Sequence, residues 1–316
     1  MTEVCRLEEV APAPRGAAVT VGTFDGVHRG HQAVMARLVA LAGERDLEAV
    51  VVTFDRHPAS VVRPEAAPAL LTDLDHRLEL LAATGVERVV VVPFDAARAA
   101  QEPEAFVTDL LVGSVGARLV LVGPDFRFGR GRRGDAGLLA DVGGPLGLEV
   151  VVMDPFTGPA GTAPVSSTGV RDLLARGEVA SAGRLLGRPH ELRGVVVAGD
   201  GRGGAELGYP TANLAVAPGV LVPGLGIYAG WYRSAGLAEA QPAAVSIGVR
   251  PTFGSEGADP VIEAHLLDFT GDLYGQAARL QLVDRLRPEV RFDSVAELAA
   301  QIDRDVAEAR TVLGVL

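Results

Sequence analysis

The sequence contains no lysine, and all 29 of its Lys and Arg residues are arginine. This absence excludes a P-loop of the GxxxxGK[ST] type, a protein kinase with its strand lysine, and any mechanism through a Schiff base on lysine. A protein of this composition that binds ATP must therefore hold the phosphates with other groups.

Cysteine and long apolar runs are also scarce. The single cysteine, Cys5, cannot close an internal disulfide or supply a thiolate metal cluster, and we interpret it as an incidental residue near a loose terminus. No apolar run approaches the roughly 18 residues of a membrane span, and the acidic segment MTEVCRLEEVAPAPRG lacks the basic start and apolar stretch of a signal peptide. We therefore expect a cytoplasmic protein without a membrane partner.

Negative charge predominates, with a formal net charge of −11. The basic surface that neutralises phosphates in nucleic-acid binding is therefore not expected, although small anionic ligands remain open wherever arginines cluster. The 316 residues, 48% of them hydrophobic, suit a globular protein of about two domains. The composition leaves the oligomeric state open, including a transient homo-oligomer.

The first half of the chain predicts an α/β domain in which apolar strands alternate with helices. The strand candidates are Ala18–Thr23, Ala49–Phe54, Arg88–Pro93, Arg118–Gly123 and Leu148–Met153, and the helical stretches between them are His31–Glu44, Leu74–Thr84, Pro103–Val112 and Ala136–Val142. Strands this hydrophobic are buried on both faces, which indicates a parallel sheet covered by helices. Ligands of such sheets bind at the carboxyl ends of the strands.

After about Gly187 the sequence predicts a small antiparallel β-barrel, because short β-rich runs follow one another with Gly/Pro turns between them. These runs are Leu192–Val197, Gly226–Arg233, Ala243–Ile247, Val261–Asp268 and Leu280–Leu286. Two short helical segments, Val170–Arg176 and Glu178–Leu186, precede the barrel. We place the domain boundary near Gly183, which gives domains of residues 1–183 and 184–316.

One helix closes the chain. Ser294 and Glu297 form a capping box that predicts its start. An apolar stripe on one face predicts packing against the barrel. The stripe consists of Val295, Leu298, Ile302 and Val306.

The stretch GTFDGVHRGH follows the first strand and places His28 and His31 one helical turn apart on one face. A helix N-terminus offers unpaired N–H groups and a favourable dipole to phosphate, and Gly26 and Gly30 let a ligand approach the backbone. Two solvated histidines are the alternative, which the strand–turn–helix setting disfavours. The residues of this candidate phosphate site are Gly22, Phe24, Asp25, Gly26, His28, Gly30 and His31.

A second anion site is predicted in VSSTGVRDLL. Ser166, Ser167 and Thr168 open a helix, and Arg171 follows one turn later, so hydroxyls, free N–H groups and a guanidinium share one side. Simple N-capping is the alternative, but it explains only one of the three hydroxyls.

Four arginines lie on the glycine-rich stretch VGPDFRFGRGRRGD. Its glycines match GxGxxG formally, but no convincing acidic ribose ligand follows, so we discount a Rossmann fingerprint. Two interpretations remain open at this point, a mobile basic loop that closes over phosphates and a solvated charge run. The arginines are Arg127, Arg130, Arg132 and Arg133.

Two further stretches carry chemistry in the second half. GDGRGGAELGYPTANL also contains GxGxxG, but Pro210 and the continuing β pattern exclude the helix of a dinucleotide site, and by itself the stretch indicates a glycine-rich hairpin loop. In PVIEAHLLDF, Ile262, Ala264 and Leu266 alternate with Glu263 and His265, so that Glu263 faces away from the barrel core. No signal assigns His265 a role.

In this order and spacing, GTFDGVHRGHQ, VTFDRHP, VGPDFRFGRGRRGD and VSSTGVRDLL resemble the adenylyltransferase module of the bifunctional prokaryotic riboflavin kinase/FAD synthetase family, among the HxGH nucleotidylyltransferases. The resemblance implies a Rossmann-like first domain. It also implies that His28 and His31 bind ATP phosphates and stabilise the α-phosphate as the phosphate of FMN attacks it and pyrophosphate leaves. Ser166, Ser167, Thr168 and Arg171 match the family's second phosphate motif.

The second half resembles the flavokinase module of the same family, through its glycine loop, PTAN, GIYAGWY, IGVRPTFG and LRPEVRFDS. The resemblance implies that Glu263 is the general base for the 5′-hydroxyl of riboflavin and that Thr211 and Asn213 help hold Mg²⁺. The phosphate-binding residues that it implies in this half are Gly199, Arg202, Gly203 and Pro210.

The chain departs from the family in the glycine loop, where Ala198 replaces a histidine and Gly204 replaces the second arginine, which leaves Arg202 as the loop's cation. We expect this loss of charge to weaken ATP binding by the kinase. The resemblance thus predicts a bifunctional enzyme that makes FMN from riboflavin and FAD from FMN. An enzyme with a single activity and a flavin-binding protein without turnover are the alternatives.

Overall fold

The structure is a computed structural model that describes residues 2–157, 164–199, 209–249 and 260–315. The chain divides into two compact units, Met1–Ser167 and Thr168–Leu316. The division falls inside a helix, whereas the sequence analysis places the domain boundary near Gly183, and that boundary stays a prediction. Within the described ranges, no helix is long and apolar enough to cross a membrane.

The first unit contains a six-stranded parallel sheet with strand order β1-β4-β3-β2-β5-β6. Its strands are β1 Glu3–Arg6, β2 Ala17–Val21, β3 Glu48–Phe54, β4 Arg88–Val92, β5 Ala117–Val122 and β6 Glu149–Val152. The chain leaves β2 toward β3 and β4 on one side and returns to β5 on the other. Strand order therefore reverses beside β2, the place where open α/β sheets bind ligands.

Helices cover both faces of this sheet. Val50 and Val52 on β3 join one apolar cluster, and Ala49 and Val51 join the cluster on the opposite face, which confirms the parallel sheet predicted from continuous apolar strands. The α-helices are α1 Arg29–Arg45, α2 Ala59–Val62, α3 Leu74–Ala82, α4 Ala96–Ala99, α5 Pro103–Ala105 and α6 Ala136–Gly143, the 3₁₀ turns are Leu7–Glu9, Pro64–Ala66, Arg130–Arg132 and Gly144–Leu146, and a π-helical segment spans Phe106–Val115.

The N-terminal strand β1 was not predicted. It pairs in parallel with β4 at the sheet edge, so the interpretation of Cys5 as a residue near a loose terminus is wrong. Only four residues of β1 pair with β4, and two of them, Glu3 and Arg6 at its ends, are charged. The sequence therefore lacks the apolar run that would predict a strand here. Long-range pairing with β4 stabilises the segment, whereas its local sequence pattern does not predict a strand.

The second unit is a closed antiparallel barrel with strand order β10-β11-β8-β7-β12-β9, as predicted. Its strands are β7 His190–Val197, β8 Ala212–Val216, β9 Gly226–Ser234, β10 Gln241–Gly248, β11 Val261–Leu266 and β12 Ala277–Arg287, and its helices are α7 Ser167–Ala175, α8 Val179–Leu186 and α9 Val295–Leu313. Strand β8 was missed because only five residues pair, directly after Pro210 and Thr211.

The closing helix α9 packs on the barrel through Val306, Ala309 and Leu313. Ser294 caps it by accepting a hydrogen bond from the Glu297 N–H at 3.2 Å. Val295 is 67% exposed, so the prediction that it belongs to the packed stripe is wrong. It lies in the first turn of the helix, and apolar packing develops only further along.

A buried ion pair joins α9 to the barrel. Both carboxylate oxygens of Asp305 accept hydrogen bonds from Arg287, at 2.8 and 2.7 Å, and the Gln301 amide donates a third at 2.8 Å. Asp305 is buried, and the Arg287 side chain is 18% exposed. Removing one partner of such a pair leaves the other charge poorly solvated.

We expect Asp305→Ala to lower the free energy of unfolding of the second unit by about 3 kcal/mol, the lower end for a buried pair because Arg287 retains some exposure. Urea unfolding followed through the fluorescence of Trp231, the chain's single tryptophan and part of β9, measures this loss. Glu308→Ala, an exposed change on the same helix, is the matched control and should stay within about 0.5 kcal/mol. Equal stability of the two variants would contradict the prediction.

Candidate active sites

A strained turn follows β2 at the reversal point of the sheet. Phe24, Gly26 and Val27 have φ angles of 50°, 79° and 39°, in the left-handed region. For residues other than glycine this conformation costs about 1–3 kcal/mol and persists only where the surroundings over-determine it. Phe24 and Val27 are both buried in the core beside the sheet, so apolar packing helps to hold the turn.

His28 and His31 lie directly after this turn. His28 is the N-cap of α1, and its Nδ1 accepts a hydrogen bond from the His31 N–H at 3.3 Å. Because Nδ1 accepts, the neutral ring carries its proton on Nε2. The two imidazoles stack with centroids 3.6 Å apart at 19°, and Phe24 contacts His31 edge-on at 5.2 Å. The structure thus brings the two predicted histidines together at a helix N-terminus.

The electrostatics favour an uncharged imidazole at His31. Burial, and secondly the neighbouring His28, hold the pKa of His31 well below its ordinary value. Nδ1 of His31 is buried and has no hydrogen-bond partner within the described residues. A buried polar atom without a partner is costly, so this atom marks a place where a ligand group improves the site.

Glycines 22 and 30 are explained by packing. A Cβ on Gly22 would lie 2.9 Å from the Phe24 ring, and a Cβ on Gly30 would lie 3.0 Å from the His28 ring and 3.2 Å from the carbonyl oxygen of Val165. These glycines allow the aromatic rings to sit against the backbone. Their predicted phosphate contacts stay predictions.

Asp25 was predicted to contact phosphate, but its carboxylate faces the protein. It is buried and accepts hydrogen bonds from the Leu71 N–H at 3.0 Å, the Thr72 N–H at 3.1 Å and the Thr72 hydroxyl at 3.2 Å. A buried carboxylate requires such donors. The side chain of Asp25 therefore anchors the turn to residues 71–72, and its predicted phosphate contact stays a prediction.

Ser167, in the second predicted motif, contacts the turn that carries the first motif. Its hydroxyl donates to the Asp25 carbonyl oxygen at 2.9 Å. Ser166 and Thr168 are exposed, and Arg171 is half-buried on α7. The hydroxyl of Ser167 thus joins two chain segments, while phosphate binding by Ser166, Thr168 and Arg171 stays a prediction.

The basic stretch after β5 is a short, anchored turn. Phe128 is buried and bridges to Gly134, while Glu102 forms ion pairs with both Arg130 and Arg133. Arg132 is exposed. Arg130 and Arg133 thus share one carboxylate of the protein itself, which balances one of their two charges, and both sequence interpretations stay predictions.

Thr72 and Arg77 are among the buried polar residues of this unit that sequence reasoning missed. Arg77 lies on α3, and its guanidinium donates to the Phe54 carbonyl oxygen. Burial lowers its pKa, although neighbouring carboxylates, Asp25 among them, oppose the shift. In the sequence Arg77 is one charged residue of an amphipathic helix, so no pattern distinguishes it.

In the barrel, strand register brings Asn213 on β8 directly opposite Glu263 on β11. Ile262, Ala264 and Leu266 are buried in the interior, which confirms that Glu263 faces the other side. Directly opposite residues of an antiparallel pair have Cβ atoms about 4.5–5.5 Å apart. Two residues that lie 50 positions apart in the sequence therefore share one site.

Asn213 is the polar centre of this site. It is buried, and its Oδ1 has no hydrogen-bond partner within the described residues. A Cβ on Gly199 would lie 2.4 Å from the Asn213 amide nitrogen. Glycine is thus required at position 199 because the backbone packs on the Asn213 side chain.

The PTAN segment borders a cavity of about 250 Å³ lined by Pro210, Thr211, Val196 and Tyr274, among others. His265, to which the sequence assigned no role, places Nδ1 3.0 Å from the Pro210 carbonyl oxygen. A carbonyl only accepts, so Nδ1 carries the proton in this contact. His265 therefore fixes the backbone next to Thr211.

The side-chain oxygens of Thr211 and Asn213 fit Mg²⁺ that is bound together with phosphates. No cluster of three or more His, Cys, Asp or Glu side chains in the described ranges could hold a metal by itself. The Thr211 hydroxyl and the Asn213 amide oxygen are hard oxygen ligands, and Mg²⁺ commonly takes one or two protein oxygens beside substrate phosphates and water. The predicted phosphate residues Arg202 and Gly203, and the departure at Gly204, lie outside the described residues.

We expect the imidazole of His31 to titrate below the ordinary histidine value of 6.5 in the ligand-free protein. Histidine NMR titration, with His31→Gln to assign the signal, measures this. His28→Ala should raise the pKa of His31 only in part, because burial lowers this pKa more than the neighbouring His28 does. Since the unfolded chain binds this proton more readily, the group's contribution to stability is present above pH 6.5 and is lost on acidification. A His31 pKa at or above 6.5 would contradict the analysis.

Comparisons with known proteins agree with this two-part organisation. The sequence model of the FAD synthetase family matches residues 10–169, and that of the riboflavin kinase family matches residues 186–313. A crystal structure described as a macrolide-efflux protein from Streptococcus pneumoniae has a TM-score of 0.84, 29% identity, and coverage of 97% of this chain and 98% of its own.

Curated relatives match nearly the whole chain. A bifunctional riboflavin kinase/FMN adenylyltransferase of Escherichia coli is 40% identical over 98% of this chain and 96% of its own length. Proteins of the same description from Listeria monocytogenes and Bacillus subtilis are 36% and 32% identical, over 92% and 93% of this chain and 91% of their own lengths in both cases. The chain belongs to the bifunctional riboflavin kinase/FMN adenylyltransferase family.

Proposed function

We propose that the first unit transfers AMP from ATP to FMN at His28 and His31, and that the second unit phosphorylates riboflavin at Glu263, Thr211 and Asn213. The proposal rests on one observation. The buried polar atoms without a partner in the described chain include His31 Nδ1 in the first unit and Asn213 Oδ1 in the second, at the residues that the family motifs assign to phosphate and Mg²⁺.

In AMP transfer, a phosphate oxygen of FMN attacks the α-phosphorus of ATP while the bond to pyrophosphate breaks, without a covalent enzyme intermediate. The Nε2 proton of His28 and the amides at the start of α1 donate to the negative oxygens of the reacting phosphate. Pre-placed donors of this kind contribute about 10²–10³ each to the rate. Ser166, Thr168 and Arg171 are proposed to bind the remaining phosphates with charge-assisted hydrogen bonds.

In the kinase, the riboflavin 5′-hydroxyl oxygen attacks the γ-phosphorus of ATP as the carboxylate of Glu263 takes its proton. The bond from the γ-phosphorus to the β–γ bridging oxygen breaks, and ADP leaves. Mg²⁺, when bound with ATP, supplies neutralising charge for the phosphates. Thr211 and Asn213 orient this ion, and His265 keeps their segment in place through Pro210. Backbone N–H groups of the glycine loop, at Gly199 and Gly203, replace the lysine that the chain lacks.

The same assay separates this proposal from its alternatives. Incubation with riboflavin, ATP and Mg²⁺ should give FMN and then FAD. FMN alone would indicate a single activity, and bound but unconverted riboflavin would indicate a binding protein. Cytoplasmic location, a transient homo-oligomer and the absence of nucleic-acid partners stay predictions.

We expect His28→Ala to lower FAD formation from supplied FMN by about 10²–10³, because it removes both a phosphate donor and the cap of α1. FMN formation from riboflavin should be unchanged, which a chromatographic assay of both products tests directly. Arg37→Ala, an exposed residue of the same helix, is the matched control. If the His28 variant made FAD at the wild-type rate, the site assignment would be wrong.

Glu263→Gln should lower FMN formation by about 10²–10⁴, since the amide keeps the size of the side chain but cannot accept the proton. FAD formation from supplied FMN should persist. Glu239→Gln, an exposed change in the same unit, should leave both rates unaltered. A Glu263 variant with a normal kinase rate would show that this carboxylate is not the base.

A further inference from the structure

We propose that Thr72 is a positioning residue for AMP transfer: its hydroxyl bridges the Asp25 carboxylate and the Gly26 amide and thereby fixes the turn that carries His28 and His31. This inference deepens the function proposed for the first unit and rests on it.

The hydroxyl of Thr72 is both a hydrogen-bond acceptor and a hydrogen-bond donor. It accepts a hydrogen bond from the Gly26 N–H at 3.2 Å and donates one to Asp25 Oδ1 at 3.2 Å. Thr72 is buried, so water does not readily replace either bond. A serine hydroxyl can make both bonds, whereas valine has the shape of threonine and can make neither.

These bonds act on the strained part of the turn. Gly26 lies between Asp25 and Val27, and Phe24, Gly26 and Val27 are all in the left-handed region. Such a conformation needs more than one restraint to persist. Burial of the Phe24 and Val27 side chains supplies one restraint. The hydrogen bonds that join residues 71–72 to Asp25 and Gly26 supply a second, polar restraint.

A change in the turn would reach the reacting groups directly. His28 follows Val27 in the chain, and its ring is stacked on that of His31 at 3.6 Å, so the two rings move together. A misplacement of about 1 Å can cost on the order of 10² in rate. Donors that act most strongly in the transition state affect kcat more than KM, so the effect of Thr72 should appear in kcat.

The test compares Thr72→Val with Thr72→Ser in the full chain. We expect the valine variant to lower kcat for FAD formation from FMN by about 10–100-fold with little change in either KM, and the serine variant to stay within about threefold of wild type. Amide hydrogen exchange at Gly26 should quicken in the valine variant alone. The far-ultraviolet circular dichroism and the melting temperature of each variant report on folding, and FMN formation from riboflavin in the same samples should be unchanged.

Each other outcome has a definite meaning. Normal FAD formation in the valine variant, or equal losses with valine and serine, would overturn the role of the hydroxyl. If Thr72→Val abolished both activities, Thr72→Ala, which adds no misfitting methyl group, becomes the test. The proposal then requires that Thr72→Ala lose FAD formation and keep FMN formation. A Thr72→Ala variant that retained FAD formation would overturn the role of the hydroxyl. His28→Ala, measured in parallel, separates the two proposals. Full activity of the His28 variant would contradict the site assignment itself, whereas full activity of Thr72→Val alone would contradict only the role of Thr72.

Discussion

The buried carboxylate of Asp25 is the interaction on which the first unit's site depends. It accepts hydrogen bonds from residues 71–72, while its own carbonyl oxygen accepts the hydroxyl of Ser167. Three segments that are distant in the sequence thus meet at one residue. A buried charge stabilises a structure only when donors surround it, so the same bonds that solvate the carboxylate also fix the geometry of the turn.

Strand register has the corresponding role in the barrel. Glu263 lies opposite Asn213 because β11 and β8 pair in one register, and a shift of either strand by one residue would turn its polar side chain to the interior. Burial of Ala264 and its neighbours on the inner face makes that shift costly. The apolar core therefore positions the polar site.

Because the chain lacks lysine, we propose a common solution for phosphate in both units. Imidazole N–H groups and backbone amides, held by secondary structure, would donate to the phosphates, and the hydroxyl and amide oxygens of Thr211 and Asn213 would hold Mg²⁺. The amides at the start of α1 are fixed by the helix itself, and Asn213 is fixed by the packing of Gly199 on its amide. Donors of this kind need little reorganisation when a charged ligand binds.

The sequence by itself determined the two-part organisation, the parallel sheet and the barrel, because apolar periodicity and glycine, proline and capping signals are local. The site residues rest on motifs that resemble those of the family, and their roles stay predictions. Local patterns could not reveal β1, whose four residues are held by β4, or the exposure of Val295.

Only the tertiary structure decided what individual polar groups contact. It made the side chain of Asp25 an anchor of the turn, paired Arg130 and Arg133 with Glu102, and gave Thr72 and His265 partners. Those contacts join residues that are remote in the sequence, and a hydrogen bond depends on distance and direction in space, which spacing along the chain does not encode.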